Sequence, residues 1–297
     1  MVYLHLFPVG DREFWVKLWQ DAREKSPLTR RRCRSEKEMV ENWSRRAGWF
    51  ARRTSDGRGQ DRRKMVLDML EREGALGPEV KVLDIGAGPG NYAIPIARLC
   101  EQVTALEPAA GMVKALEDRA RAGQVENITI IQRTWQEVEV EKDGLAGRFD
   151  LVFASMTPGV QGSETLQKML AASRKFCYLS AFSGQRWEKA HRDLWRQFFC
   201  EDMGDNPGDI IYPFGLLYTM GYRPNLKFFT VNRVEEEPVE KAVENLARFF
   251  WSYMDITPEV RQTIEHYIKE HAENGVFRQE TTFWTGMMLW RVDEIFT

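Results

Sequence analysis

Apolar positions in this chain change their spacing near residue 75. Before that point they recur every three or four residues. In "DREFWVKLWQDARE", Phe14, Trp15, Leu18, Trp19 and Ala22 fall on one helical face. "SEKEMVENWSRRAGWFARR" opens on a capping box, Ser35 with Glu38 three residues later. Met39, Val40, Trp43, Ala47 and Phe50 form its apolar stripe. "TSDGRG", 54–59, reads as a loop. A third helix is expected from about Gln60 to Glu73, stopping at Gly74.

After Val80 the texture is different. Short β-branched runs alternate with helical stretches: "VKVLDI" then "NYAIPIARLC", "VTALE" then "AAGMVKALEDRARAG", "ITIIQ", "FDLVFASM" then "SETLQKMLAASR", and "KFCYLSAF". Such alternation implies α/β architecture, with βαβ units on a parallel sheet and helices on both faces. "LKFFTVNRV" and "TTFWTGMMLWRV" are further strands. Helices are expected at about 186–200, 238–254 and 258–273, the last launched by Thr257 as cap and Pro258 at the first helical position. The division is then a helical N-terminal cap, 1–75, and an α/β domain, 76–297, with helical insertions at about 186–224 and 236–275.

"VLDIGAGPGNY", 82–92, carries the chemistry. Gly86, Ala87, Gly88 and Gly90 form a turn after a buried strand, and Asn91 is placed to cap the next helix. A dinucleotide loop has the spacing GxGxxG, whereas this one is GxGxG. Asp84 argues harder against a pyrophosphate. A carboxylate at the strand end repels phosphate strongly in a low-dielectric site and suits a cationic ligand. S-adenosylmethionine carries an ammonium and a sulfonium and no phosphate.

The stretch resembles the first motif of the class I S-adenosylmethionine-dependent methyltransferases: two hydrophobic residues, Asp, then three alternate glycines. An acidic end to the second strand belongs to that pattern, and "VTALEPAAGMV" supplies Glu107. The resemblance implies that Glu107 accepts the ribose hydroxyls and that Pro108 and Met112 line the adenosine. It puts Thr134 and Trp135 at the adenine, in place of the family's Asp-Ala-like pair. "FDLVFASM" resembles the fourth motif, which implies that Ser155 borders the transferring methyl. The resemblance covers about 80–185 well and the late strands more loosely. It implies a Rossmann-like, seven-stranded, mostly parallel sheet with a reversed last strand, supplied by "TTFWTGMMLWRV".

Methyl transfer is an in-line displacement, driven largely by positioning, and needs no catalytic triad. No catalytic residue is nominated. By topology the acceptor lies at the carboxyl ends of the strands. Met156 and Thr157 in "ASMTPGV" form one wall of its site and Tyr212 in "DIIYPFG" another. Trp43, Arg46 and Phe50, on helices packed over the open sheet end, face the methionine end of the cofactor or the acceptor. "ASMTPGV" is not the Asn-Pro-Pro-Tyr form of amino-group methyltransferases of nucleic acids and glutamine, which counts against nucleic acid.

Bulk properties refine this only slightly. The chain has 297 residues and a formal net charge of -2, so it is not an evident polyanion binder. Arginine pairs and triplets crowd the first 75 residues and read as solvated helix faces. Four separated cysteines and four scattered histidines indicate no metal site and fit a reducing cytoplasm. No apolar run is long enough for a membrane helix. "MVYLHLFPVGDREF" has no basic region before its apolar run, so no secretory leader is expected.

The expected activity is therefore methylation of a small molecule enclosed by the inserted helices. The alternatives are a methyltransferase acting on RNA or protein, a non-catalytic cofactor-binding module, and a nicotinamide enzyme, the last opposed by Asp84 and Asn91.

Overall fold

A computed structural model describes residues 10–48, 50 and 57–296. Trp49, the Arg52–Arg53 pair and the first half of the expected 54–59 loop lie outside the described residues. Residues 57–59 are helical, so the third helix starts earlier than its apolar pattern indicates.

The sheet follows from period-two alternation in strands buried on both faces. Strands β1 (Lys81–Ile85), β2 (Gln102–Leu106), β3 (Ile128–Ile131), β4 (Phe149–Ser155) and β5 (Ser173–Ser183) are parallel. Strand β6 (Asn225–Pro238), the two-residue β7 (Ala272–Glu273) and β8 (Val276–Arg291) complete it. The order is β3-β2-β1-β4-β5-β8-β6, with β8 antiparallel to both neighbours and β7 on its far end. The reversed strand is where the sequence put it. The switch point lies between β1 and β4, where the chain turns from building one half to the other.

Leu83, Ile85, Val152, Ala154, Cys177, Leu179, Met288 and Trp290 point into one core layer. Val82, Val103, Ala105, Leu151, Phe153, Tyr178 and Leu289 point into the other. Alternation puts Asp84 on the second face, in register with Ala105 and Phe153.

Helices cover both faces. They are α1 (Arg12–Lys25), α2 (Pro27–Arg30), α3 (Glu36–Arg45), α4 (Gly57–Arg72), α5 (Ala93–Ala97), α6 (Ala110–Ala122), α7 (Ser163–Ala172), α8 (Lys189–Phe199), α9 (Ile211–Thr219), α10 (Val239–Phe250) and α11 (Pro258–Glu270). Ser35 and Glu38 form the expected capping box of α3, and Thr257 caps α11. Asn91 does not cap α5. That helix begins at Ala93 and spans five residues, and Asn91 Oδ1 instead accepts from Arg119 at 2.9 Å.

Beyond Ser183, which pairs with Trp284, β8 continues as an antiparallel ribbon with β6. The ribbon carries α10 and α11. Their apolar faces meet α8 and α2 in a separate small core that includes Leu28, Trp195, Phe250, Ile264 and Phe277. Among the described residues, no helix is long and apolar enough to cross a membrane.

Candidate functional site

The glycine loop closes directly onto the end of β2. Gly86 and Ala87 both donate their N–H to Leu106 O, at 2.8 and 3.1 Å. Two glycines are required for different reasons. Gly86 has φ +74°, and a Cβ there would lie 2.1 Å from Thr157 Oγ1. Gly88 has φ +55° and open space where its Cβ would be, which leaves its backbone accessible to a ligand. Ala87 is buried beside it, and Gly90 packs against Leu116 of α6.

Two carboxyl groups meet at this loop. Asp84 is 2% exposed, and its Oδ2 has no hydrogen-bond partner among the described residues. Burial, reinforced by the charge of Glu107, pushes its acid up to about 8. Glu107 is also buried, but its oxygens are engaged. Oε2 accepts from Gly88 N–H and Oε1 from Ala109 N–H, both at 2.9 Å. Burial raises its acid, and those two bonds partly offset the rise. Each oxygen keeps one acceptor position. The pair brings two carboxyl groups together with spare acceptor positions and, among the described residues, no ion-paired cation, the acceptor set that an ammonium and a diol require.

Pro108 is half-buried, and Met112 is buried at the start of α6. Thr134 and Trp135 depart from the expected adenine contacts. Thr134 Oγ1 donates to Glu137 Oε2 at 2.9 Å, closing a local turn. The Trp135 side chain is 1% exposed and belongs to the sheet core, and its indole N–H donates to Thr165 O at 3.0 Å. A large ring three residues beyond a strand is as readily core as cleft wall, and here the core holds it.

At the end of β4, Ser155 Oγ lies 3.1 Å from Ser180 Oγ on β5. Met156 adopts φ +52°, a left-handed conformation that costs a non-glycine residue roughly 1 kcal/mol or more. Its N–H bond to Ser180 O, at 2.9 Å, holds it there. Thr157 Oγ1 accepts from Gly159 N–H at 3.1 Å, against Gly86.

The N-terminal helices flank this end of the sheet on two sides. Ser44 Oγ accepts from Gly111 N–H at 2.7 Å, seating α3 on α6. Trp43 and Phe50 meet edge-on at 5.9 Å and pack with Ala109 and Met112. The Arg46 guanidinium lies 4.9 Å over the Trp43 ring. The three therefore stand beside the Glu107 side of the site. On the other side, α1 packs on α9: Trp15 fills the space a Gly215 Cβ would occupy, and Trp19 is buried with Ile210 and Leu216. Arg23 donates to the Gln161 backbone and side chain, just past β4. Tyr212 is half-buried against the same core. Ser44, Gln161 and Ser180 were not singled out from sequence, because each acts through a partner remote in the chain.

A family model described as a methyltransferase domain matches residues 82–177. An uncharacterized protein of Haemophilus influenzae is 25% identical over 218 residues, covering 72% of this chain and 77% of that one. The magnesium protoporphyrin IX methyltransferase of Synechocystis PCC 6803, solved with bound S-adenosylhomocysteine, superposes with a TM-score of 0.53 at 12% identity. It covers 86% of this chain and 99% of its own. A presumed methyltransferase of Bacillus halodurans gives 0.53 at 14% identity over 76% and 98%. At such identities the structural likeness is one of fold.

Proposed function

We propose that this chain, whose residues 82–177 belong to the class I S-adenosylmethionine-dependent methyltransferases, transfers the methyl group to a small acceptor held beneath α1, α3 and α9. S-adenosylmethionine supplies a methyl on a sulfonium. The acceptor's lone pair forms the new bond as the carbon–sulfur bond breaks, and the sulfur leaves as a neutral thioether.

The observation that carries the reading is the pair Asp84 and Glu107, two buried carboxyl groups at adjacent parallel strand ends with acceptor capacity and, among the described residues, no ion-paired cation. In this reading Asp84 takes the ammonium end, and Glu107 accepts the ribose hydroxyls. Gly86, Ala87, Gly88 and Gly90 give close approach, with Asn91 fixed behind them by Arg119. Pro108 and Met112 flank the adenosine. At the adenine, the backbone around Thr134 and Trp135 is the contact, since both side chains are engaged elsewhere. Ser155, Met156 and Thr157 border the methyl. Trp43, Arg46 and Phe50 close the Glu107 side, and Tyr212 supports the opposite wall.

A small acceptor is favoured by coverage on two sides. It is also favoured by the fate of the N-terminal arginines. Arg30 and Arg31 pair with Glu201, and Arg34 pairs with Asp255, so these cations are not displayed as a phosphate track.

The deciding experiment incubates the purified chain with S-adenosylmethionine labelled on its methyl group and a metabolite-containing bacterial extract. Products are split into small-molecule, RNA and protein fractions, with Glu107→Ala as control. Label in small molecules that disappears in the control is the expected result. Label in RNA or protein overturns the acceptor assignment.

A further inference from the structure

Past the end of β5 the chain makes an unusual commitment of positive charge. Arg186 follows Ser183 by three residues. Its guanidinium stacks 4.1 Å from the Trp187 ring centroid and 5.0 Å from that of Phe182. Its Nε is fully enclosed and has no hydrogen-bond partner, and no ion pair reaches its side chain among the described residues. Stacking uses the faces of the guanidinium and leaves its in-plane N–H groups directed away from the rings.

The surroundings intensify the imbalance. Arg32 acts on Arg186 as a like charge and also on Arg23. Arg23 is held by the neutral groups of Gln161. Burial pulls Arg186 down to about 10, opposed by the Tyr253 phenol and reinforced by the like charge of Arg32, so it remains a cation at pH 7. Two more buried nitrogens here make no hydrogen bond among the described residues, Trp187 Nε1 and His191 Nδ1. Burial and the charge of Arg186 push His191 down to about 4, leaving it neutral. Glu188 Oε2 lies 3.5 Å from His191 Nδ1. A half-buried guanidinium with an enclosed Nε, beside another cation and with no carboxylate paired to it among the described residues, gains from an anion that joins it.

Position links this cluster to the reaction. Arg23 is tied to the loop after β4, and Arg186 follows β5, the two strands whose carboxyl ends form the acceptor side of the switch-point crevice. Resting on the methyltransferase reading above, we infer that Arg186, with Arg32 and Arg23, binds an anionic group, carboxylate or phosphate, on the methyl acceptor. Arg186 supplies the bidentate fork, which fits either group. Phe182 and Trp187 keep that fork in orientation. The anionic group is held rather than methylated, so the nucleophile is another atom of the same molecule, and the product keeps its negative charge.

The test uses the full chain saturated with S-adenosylhomocysteine, at low ionic strength. Benzoate and inorganic phosphate are titrated separately by calorimetry. One of them should bind at one equivalent, and which one names the source of the charge. Arg186→Gln should weaken that binding at least tenfold, and Arg32→Gln by three- to tenfold. Arg121→Gln, on the exposed side of α6, should leave it unchanged. Melting curves report folding. If Arg186→Gln does not fold, the exposed Arg32→Gln carries the comparison. Equal affinity in wild type and the folded variants, or no binding of either anion, overturns the inference. Failure of S-adenosylhomocysteine itself to bind overturns the underlying reading instead. In the labelled-extract assay, the small-molecule product should be retained on an anion exchanger at pH 7, and labelled product in the flow-through also sinks the proposal.

Discussion

Asp84 and Glu107 stand at the ends of adjacent parallel strands, and the charge of one helps to keep the other protonated. Asp84 is pushed up to about 8, from an ordinary value of 3.8. Below pH 8 the ligand-free protein therefore carries Asp84 mostly as the neutral acid. Binding a cationic ligand favours the carboxylate, so binding releases a proton. Affinity for S-adenosylhomocysteine, through its ammonium, should rise from pH 6 to pH 8, approaching tenfold per unit at its steepest. Asp84→Asn should flatten that profile, as calorimetry in buffers of different ionisation enthalpy would reveal.

The same shift has a stability consequence of opposite direction. A carboxyl whose folded value lies above its unfolded one binds more protons in the native state. Its contribution is complete below about pH 4 and is lost as pH rises toward about 8. Ligand-free Asp84→Asn should therefore lose less stability than wild type between pH 5 and pH 8. The expected difference exceeds about 1 kcal/mol by denaturant titration. Equal losses would mean that Asp84 is already ionised in the free protein.

Glu107 performs two tasks that one substitution separates. Its oxygens hold Gly88 and Ala109, and their remaining positions are assigned to the ribose. Glu107→Gln keeps one acceptor oxygen and loses the charge, while Glu107→Ala loses both. Charged hydrogen bonds contribute about 1.5–3 kcal/mol each. Affinity for S-adenosylhomocysteine should fall roughly tenfold in the first variant and a hundredfold or more in the second. Equal effects would assign Glu107 to loop structure alone.

What was readable in the sequence was what local spacing determines. Val82, Leu83 and Ile85 announce a doubly buried strand, and the order of strands and helices announces the parallel sheet with its reversed member. Asp84, the glycines and Glu107 lie within one βαβ unit, so their meeting follows from that unit. Asn91 misled because its amide found Arg119, a partner on another helix. Trp135 misled because an indole satisfies core and cleft equally well until Thr165 supplies its acceptor. The left-handed Met156 and the docking of Trp15 against Gly215 have no local signature, since each is imposed by a remote strand or helix.

Gly86 and Thr157 are coupled across the switch point. A Cβ at Gly86 would meet Thr157 Oγ1 at 2.1 Å and Thr157 Cβ at 2.8 Å, in a backbone with φ +74°. Gly86→Ala should destabilise the fold by about 2–4 kcal/mol, combining backbone strain with overpacking. Thr157→Gly added to it should recover the overpacking part, roughly half, and leave the backbone part. A double variant no more stable than Gly86→Ala would show that the contact carries none of the cost.

Helices α3 and α1 should fail in different ways. Trp43 packs with Ala109 and Met112, next to Glu107, so Trp43→Ala should weaken S-adenosylhomocysteine binding about tenfold through lost apolar contact. Gly215→Ala acts at the opposite wall. Its new methyl would fall 2.3 Å from the Trp15 ring, so α1 must shift on α9 and carry Arg23 away from Gln161. Methyl transfer in the extract assay should then drop several-fold, with S-adenosylhomocysteine affinity within about twofold of wild type, since α3 and Glu107 are untouched. If Gly215→Ala weakened the nucleoside as much as Trp43→Ala does, α1 and α3 would be acting as one cover, and the division of the site into cofactor and acceptor walls would have to be abandoned.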